Sequence, residues 1–151
     1  MALKGERTVI EQDISYSCSN VATRGVVLVL LTSGSGISLG DSAGIATLST
    51  TSSGKVPLGI LMNDVVSIDE TLYHRNFHKD QTKTGERCTL LRKGNVTTDA
   101  YTGSPTVGAP AYLTSNGTLT PTNAGAAATP LVGKFESVPD ADSYVKVSIN
   151  L

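Results

Sequence analysis

Two histidines, two cysteines and a few carboxylates are the residues of this chain that have chemistry to offer. His74 and His78 stand four apart in His74-Arg-Asn-Phe-His78, a spacing that lets two imidazoles share a metal on one helix face. The glutamate of an HExxH motif and a third ligand are missing, so the pair reads as surface histidines in a basic loop. Asp64, Asp69 and Glu70, and again Asp140 and Asp142, could serve acid/base or calcium chemistry, but neither group has EF-hand spacing. Ser33-Gly-Ser-Gly36 fits neither the GxSxG elbow nor a phosphate-binding loop, and its serines serve a turn. Cys18 and Cys88 are too few for a disulfide framework and lack CxxC spacing, so they read as free thiols. The residues therefore offer no catalytic constellation, no metal set and no cofactor site, and the expectation is a protein that is not an enzyme.

What the chain does offer is local charge. Arg75, Lys79, Lys83, Arg87, Arg92 and Lys93 are half of its 12 basic residues and fall within one fifth of its length, together with both histidines. The segment 71–93 reads either as a solvated loop or as a partner surface. Charge of one sign steers and orients a complementary partner, and an acidic protein surface suits it better than nucleic acid. Phe77, with Tyr73 just before it, is too little aromatic surface for base stacking. The net charge of −1 gives no general attraction to nucleic acid or anionic lipid. The longest aliphatic run, Val26 to Leu31, is far short of a membrane span, and Met1 to Thr8 has no apolar leader core. These features predict a protein made and kept soluble in a cytoplasm, with no membrane partner.

The elements that must position these residues are strands. Aromatics are 5%, charged residues 17% and Trp is absent, while β-branched and turn residues are plentiful, which favours an all-β chain. A length of 151 residues suits one domain with a real core. The clearest hairpin is Val107-Gly-Ala-Pro-Ala-Tyr-Leu-Thr-Ser-Asn-Gly-Thr-Leu-Thr120, where Asn116-Gly117 tolerates positive φ between apolar runs. It has an echo in Val27 to Leu39: Leu31-Thr-Ser33 matches Leu113-Thr-Ser115. A second pair follows in the same order, Pro57-Leu-Gly-Ile-Leu61 and Pro130-Leu-Val-Gly-Lys-Phe135. This predicts a weak internal duplication.

Val26 to Leu31 reads as a strand buried on both faces, and Ile45 to Leu48 as a short strand. Cys88 to Leu91 reads as a strand followed by a turn at Arg92 to Val96. Tyr144-Val-Lys-Val-Ser-Ile-Asn-Leu151 alternates strictly, which puts Val145, Val147, Ile149 and Leu151 on one core face. Residues 1–24 lack helical periodicity and read as an extended arm or an edge strand. The expectation is an N-terminal arm, 1–24, followed by a single β domain, 25–151, that contains the basic loop segment 71–93. Its architecture is a small antiparallel β-barrel or sandwich with two related hairpin halves.

The succession Leu90-Leu-Arg-Lys-Gly94, then Val107 to Thr120, then Pro130-Leu-Val-Gly-Lys-Phe135 and a terminal Tyr-Val-Lys-Val strand resembles the capsid cement (head decoration) proteins of tailed bacteriophages. The resemblance covers the last two thirds of the chain, and the acidic residue usual after the hairpin glycine is here Ala109. It implies a non-enzymatic subunit on the outer surface of an expanded icosahedral shell, in the virion. Its partner would be the major capsid protein, whose contacts it stabilises, often as a homotrimer. A stapling subunit needs an arm and local charge for registration, which makes Val9, Ile10, Ile14, Arg75, His78, Lys79, Lys83 and Arg87 the candidate capsid contacts. The alternative is a β-rich tail or fibre module that recognises a surface carbohydrate or protein, for which the chain is poor in stacking aromatics.

Overall fold

The protein is seen in a computed structural model that describes residues 3–32, 44–62, 81–125 and 128–151. It is all-β. In chain order the strands are β1 (Leu3–Asp13), β2 (Ser17–Cys18), β3 (Ala22–Thr23), β4 (Val27–Leu30), β5 (Ile45–Thr47) and β6 (Pro57–Leu61). They continue as β7 (Gln81–Thr82), β8 (Leu90–Thr98), β9 (Pro110–Leu113), β10 (Leu119–Thr120), β11 (Leu131–Phe135) and β12 (Val145–Asn150). The main sheet runs β10-β9-β11-β12-β8-β6-β4-β5-β2, β1 pairs with β8, and β3 and β7 form a separate pair. The sheet does not close on itself; of barrel and sandwich, the structure is sandwich-like. Pairing is antiparallel except between β2 and β5, where Ser17 lies beside Ile45 in parallel.

The strand order is palindromic about the β8–β12 pair. Read outward from the centre, one half is β8-β6-β4-β5 and the other β12-β11-β9-β10. The strand before the second Leu-Thr-Ser phrase, β9, pairs with its hairpin mate β10 on one edge and the Pro-Leu strand β11 on the other, and β4 likewise has the Pro-Leu strand β6 on one edge. The first hairpin's own turn, 33–36, and its return to Leu39 lie outside the described residues; β4 pairs with β5 and β6. Packing repeats too. A side chain on Gly59 would run into the Leu91 carbonyl of β8, and one on Gly133 into the Ser148 carbonyl of β12. Each third strand thus has a glycine where the central strand's backbone comes closest.

In the second half the hairpin forms as its chemistry requires, with Leu113 opposite Leu119 and a 3-10 turn in which Asn116 and Gly117 take φ of 56° and 70°. The Asn116 N–H donates to the Ser49 carbonyl at 3.0 Å, so this turn docks on the first half and the inner faces are brought together. Val27, Val29, Ile60, Leu91, Phe135 and Val147 belong to the apolar cluster shared by both halves. Alternation in β12 sends Val145, Val147 and Ile149 into it. A second cluster covers the outer face of the first half only, where Cys18, Ala22 and Cys88 pack on Leu28, Leu58, Leu61 and Leu90. β4 is therefore buried on both faces, as its unbroken aliphatic run predicts.

One sequence reading is corrected. Arg92 to Val96 is not a turn but the middle of β8, which runs unbroken to Thr98. Gly94 stays in the strand between Val9 of β1 and Ile149 of β12 at a φ of 144° that glycine tolerates, and register shifts on the β1 side absorb the irregularity as bulges.

Candidate functional site

β1 meets solvent more completely than any other long strand of the sheet. Of its 11 residues only Leu3 is buried, and Lys4 and Asp13 are half-buried. β8 takes one of its edges, and among the described residues no strand pairs with the other. A free strand edge is a template for another chain, while the charges of Glu6, Arg7 and Glu11 and the bulges restrict what can add there. Val9, Ile10 and Ile14 are all exposed, Ile10 at 69%.

Both ends of β1 are fixed. The Lys4 ammonium donates to Asp140 at 2.6 Å and Asp142 at 3.5 Å and sits 4.6 Å from the Tyr144 ring centre. The hydrogen bond with Asp140 raises the Lys4 pKa and holds the Asp140 carboxyl below its ordinary value. At the far end the Ser15 hydroxyl and N–H donate to Asp13, whose pKa falls for that reason.

The basic candidates meet the arm just beyond. The Arg87 guanidinium donates to the Ile14 carbonyl at 3.5 Å, and Arg87 bridges to Ser17. The N–H of Lys83 donates to the Glu86 carboxylate at 2.8 Å, closing the turn that presents both residues. Ile14, Lys83 and Arg87 therefore belong to one neighbourhood, and Val9 and Ile10 to another further along β1. Arg75, His78 and Lys79 lie outside the described residues, as do His74, Asp64, Asp69 and Glu70.

Sequence reasoning missed a groove on the outer face of the second half. It holds about 470 Å³; Ile10 of β1 and Leu131 of β11 stand at its rims, Lys93 and Lys134 beside them, and Ser148 and Asn150 along the floor. Leu131 is 58% exposed. Both lysines are exposed, and no ion pair holds either among the described residues. The nearby Glu136 carboxylate is turned to Asn95 at 3.1 Å and Lys146 at 3.9 Å. The one available signal was the polar phase of β12, since a strand with Lys146, Ser148 and Asn150 on one face leaves that face wet.

Nothing at these surfaces suggests bond-making chemistry. The described residues contain no group of three metal-ligating side chains and no helix long and apolar enough to cross a membrane. Both thiols are buried and unbridged, and burial pushes Cys88 up to about 12.

Among the described residues, what remains is a two-faced β sandwich with the outer edge of β1 and the outer face of the second half open. The family model described as "Structural cement protein (E217 gp24/Pam3 gp6)", a phage family, matches residues 33–150 of this chain. The chain belongs to that family. The match begins after β4, so it leaves out the first strand of the first half and covers β5 to β12, the central β8–β12 pair included. Membership gives this cement protein a structural role in the phage capsid. Comparison with curated proteins finds no match. β1 lies outside the matched span, as do β2, β3 and β4.

Proposed function

We propose that this cement protein binds the outside of the expanded icosahedral shell and stabilises contacts between neighbouring major capsid proteins, without catalysing a reaction. The observation that carries this is β1, an 11-residue strand exposed almost end to end, with aliphatic side chains outward and one edge that no other described strand pairs with. Such a strand stays soluble through its charges yet can be completed by a neighbour's backbone, the geometry of strand addition. In this reading Val9, Ile10, Ile14, Lys83 and Arg87 contact the capsid, and Arg75, His78 and Lys79 join them on sequence alone. Threefold assembly belongs to the same reading and rests on the family resemblance; sedimentation equilibrium would then give three times the chain mass of 15.7 kDa.

The test is co-sedimentation of the purified protein with expanded, undecorated shells of its source phage, titrated to saturation. Binding that saturates at a fixed multiple of the shell's symmetry sites and raises the temperature of shell rupture supports cementing. Absence of binding would move the protein to a tail or fibre assembly. Ile10→Asp keeps the fold, since the side chain is solvent-facing, and is expected to weaken shell binding. Substitution is preferred to deletion here, because Leu3 lies in the shared apolar cluster and Cys18 and Ala22 in the second.

A further inference from the structure

The two halves of the sandwich differ in what lies on their outer faces. In the first half the separate β3–β7 pair and the sheet's own end strand β2 bring Ala22, Cys18 and the neighbouring Cys88 onto Leu28, Leu58 and Leu61 and bury them. In the second half none of the described residues folds over the corresponding face, which is hollowed, with Ile10 and Leu131 at the rims and Lys93 and Lys134 beside them. The pseudo-symmetry thus supplies, within this molecule, a precedent for what fits on such a face: extended chain that lays small apolar side chains onto the sheet. The charges state the rest of its chemistry. Two ammonium groups flank the hollow with no carboxylate paired to either among the described residues, so an occupant gains from carboxylates placed beside its aliphatic contact.

We propose that this groove receives an extended segment of the major capsid protein in which carboxylates flank an aliphatic side chain. The aliphatic group sits between Ile10 and Leu131, the carboxylates meet Lys93 and Lys134, and Ser148 and Asn150 hydrogen-bond the occupant from the floor. The inference rests on the capsid-binding reading and adds to it the place and chemistry of the contact. Because β1 forms one rim through Ile10 and is itself held along β8, the groove exists in the free protein and needs no rearrangement to bind.

Zero-length carbodiimide coupling on decorated shells tests this directly, because it joins an amine only to a carboxylate in contact with it. The expected product is an amide from Lys93 or Lys134 to an Asp or Glu of the capsid protein, read by mass spectrometry. Lys93→Glu/Lys134→Glu should bind shells about ten-fold more weakly and lose most of the salt dependence of binding. Lys93→Gln/Lys134→Gln should fall between it and wild type, and unchanged circular dichroism melting certifies both folds. If wild type binds shells while the reversed variant binds equally, with unchanged salt dependence and cross-links confined to other lysines, the groove is not the contact and cementing still stands. If wild type itself fails to bind, the capsid reading falls.

Discussion

The Pro-Leu dipeptide opens the third strand of each half, and its two leucines have opposite surroundings. Leu58 is 6% exposed, under Cys18 and Ala22, while Leu131 is 58% exposed at the rim of a groove. The halves share strand order and a glycine beneath the central strand, so the difference does not come from the sheet. It comes from the segments around it: residues 16–23 and 81–88 fold over one half, and none of the described residues folds over the other. A duplicated scaffold has one copy closed as core and the other left open as surface. An apolar residue on a sheet face is stabilising when covered and a contact site when not.

This contrast can be broken or sharpened by experiment. The largest effect should be chemical. Burial raises Cys88 from an ordinary 9.0 to about 12, which lowers its thiolate population roughly a thousand-fold. Both thiols should resist an aromatic disulfide reagent at pH 8 in the folded protein and react fully in denaturant. Rapid reaction in the native state would show that the cover over the first half opens readily. Next in size, Leu58→Ala should cost about 2–5 kcal/mol, whereas Leu131→Ala should stay within about 0.5 kcal/mol, both read from denaturant midpoints. Equal losses would mean that the second face is not bare. Gly59→Ala and Gly133→Ala should each cost about 1–3 kcal/mol by forcing the central strands away; a loss at one alone would end the equivalence of the halves.

The smallest effect concerns the clasp that holds β1. Asp140 has its folded pKa lowered below the ordinary 3.8 by the Lys4 hydrogen bond. Its contribution is therefore present above that value and lost as pH falls through the folded pKa. Lys4→Ala should leave melting nearly unchanged at pH 7, because the pair is exposed, and should flatten the pH dependence of stability in the acid range. The hydrogen exchange of β1 amides should rise in the same variant. Unaltered exchange would show that pairing to β8 alone fixes the strand.

Much of the scaffold was legible because it is written in short-range chemistry. Asn116-Gly117 announces its turn, Val145 to Ile149 announces its core face, and the repeated Pro-Leu phrases mark β6 and β11, which flank the central β8–β12 pair. Arg92 to Val96 misled because Lys-Gly-Asn is turn-like in isolation, while strands on both edges of β8 keep it extended. The groove was illegible for a related reason. Ile10, Lys93, Leu131 and Lys134 are scattered over more than a hundred residues, and only sheet register brings them together.

By itself, then, the sequence determined the class of fold, the hairpin chemistry, the inward phase of β12 and the lack of any recognisable catalytic motif, since each depends on neighbours a few residues apart. The tertiary structure decided which of two similar faces is covered and that β1 lies as an exposed edge along β8. It also decided that two distant lysines flank one hollow. These depend on which strands become neighbours across the sheet, and that is settled by packing the whole chain around a shared core.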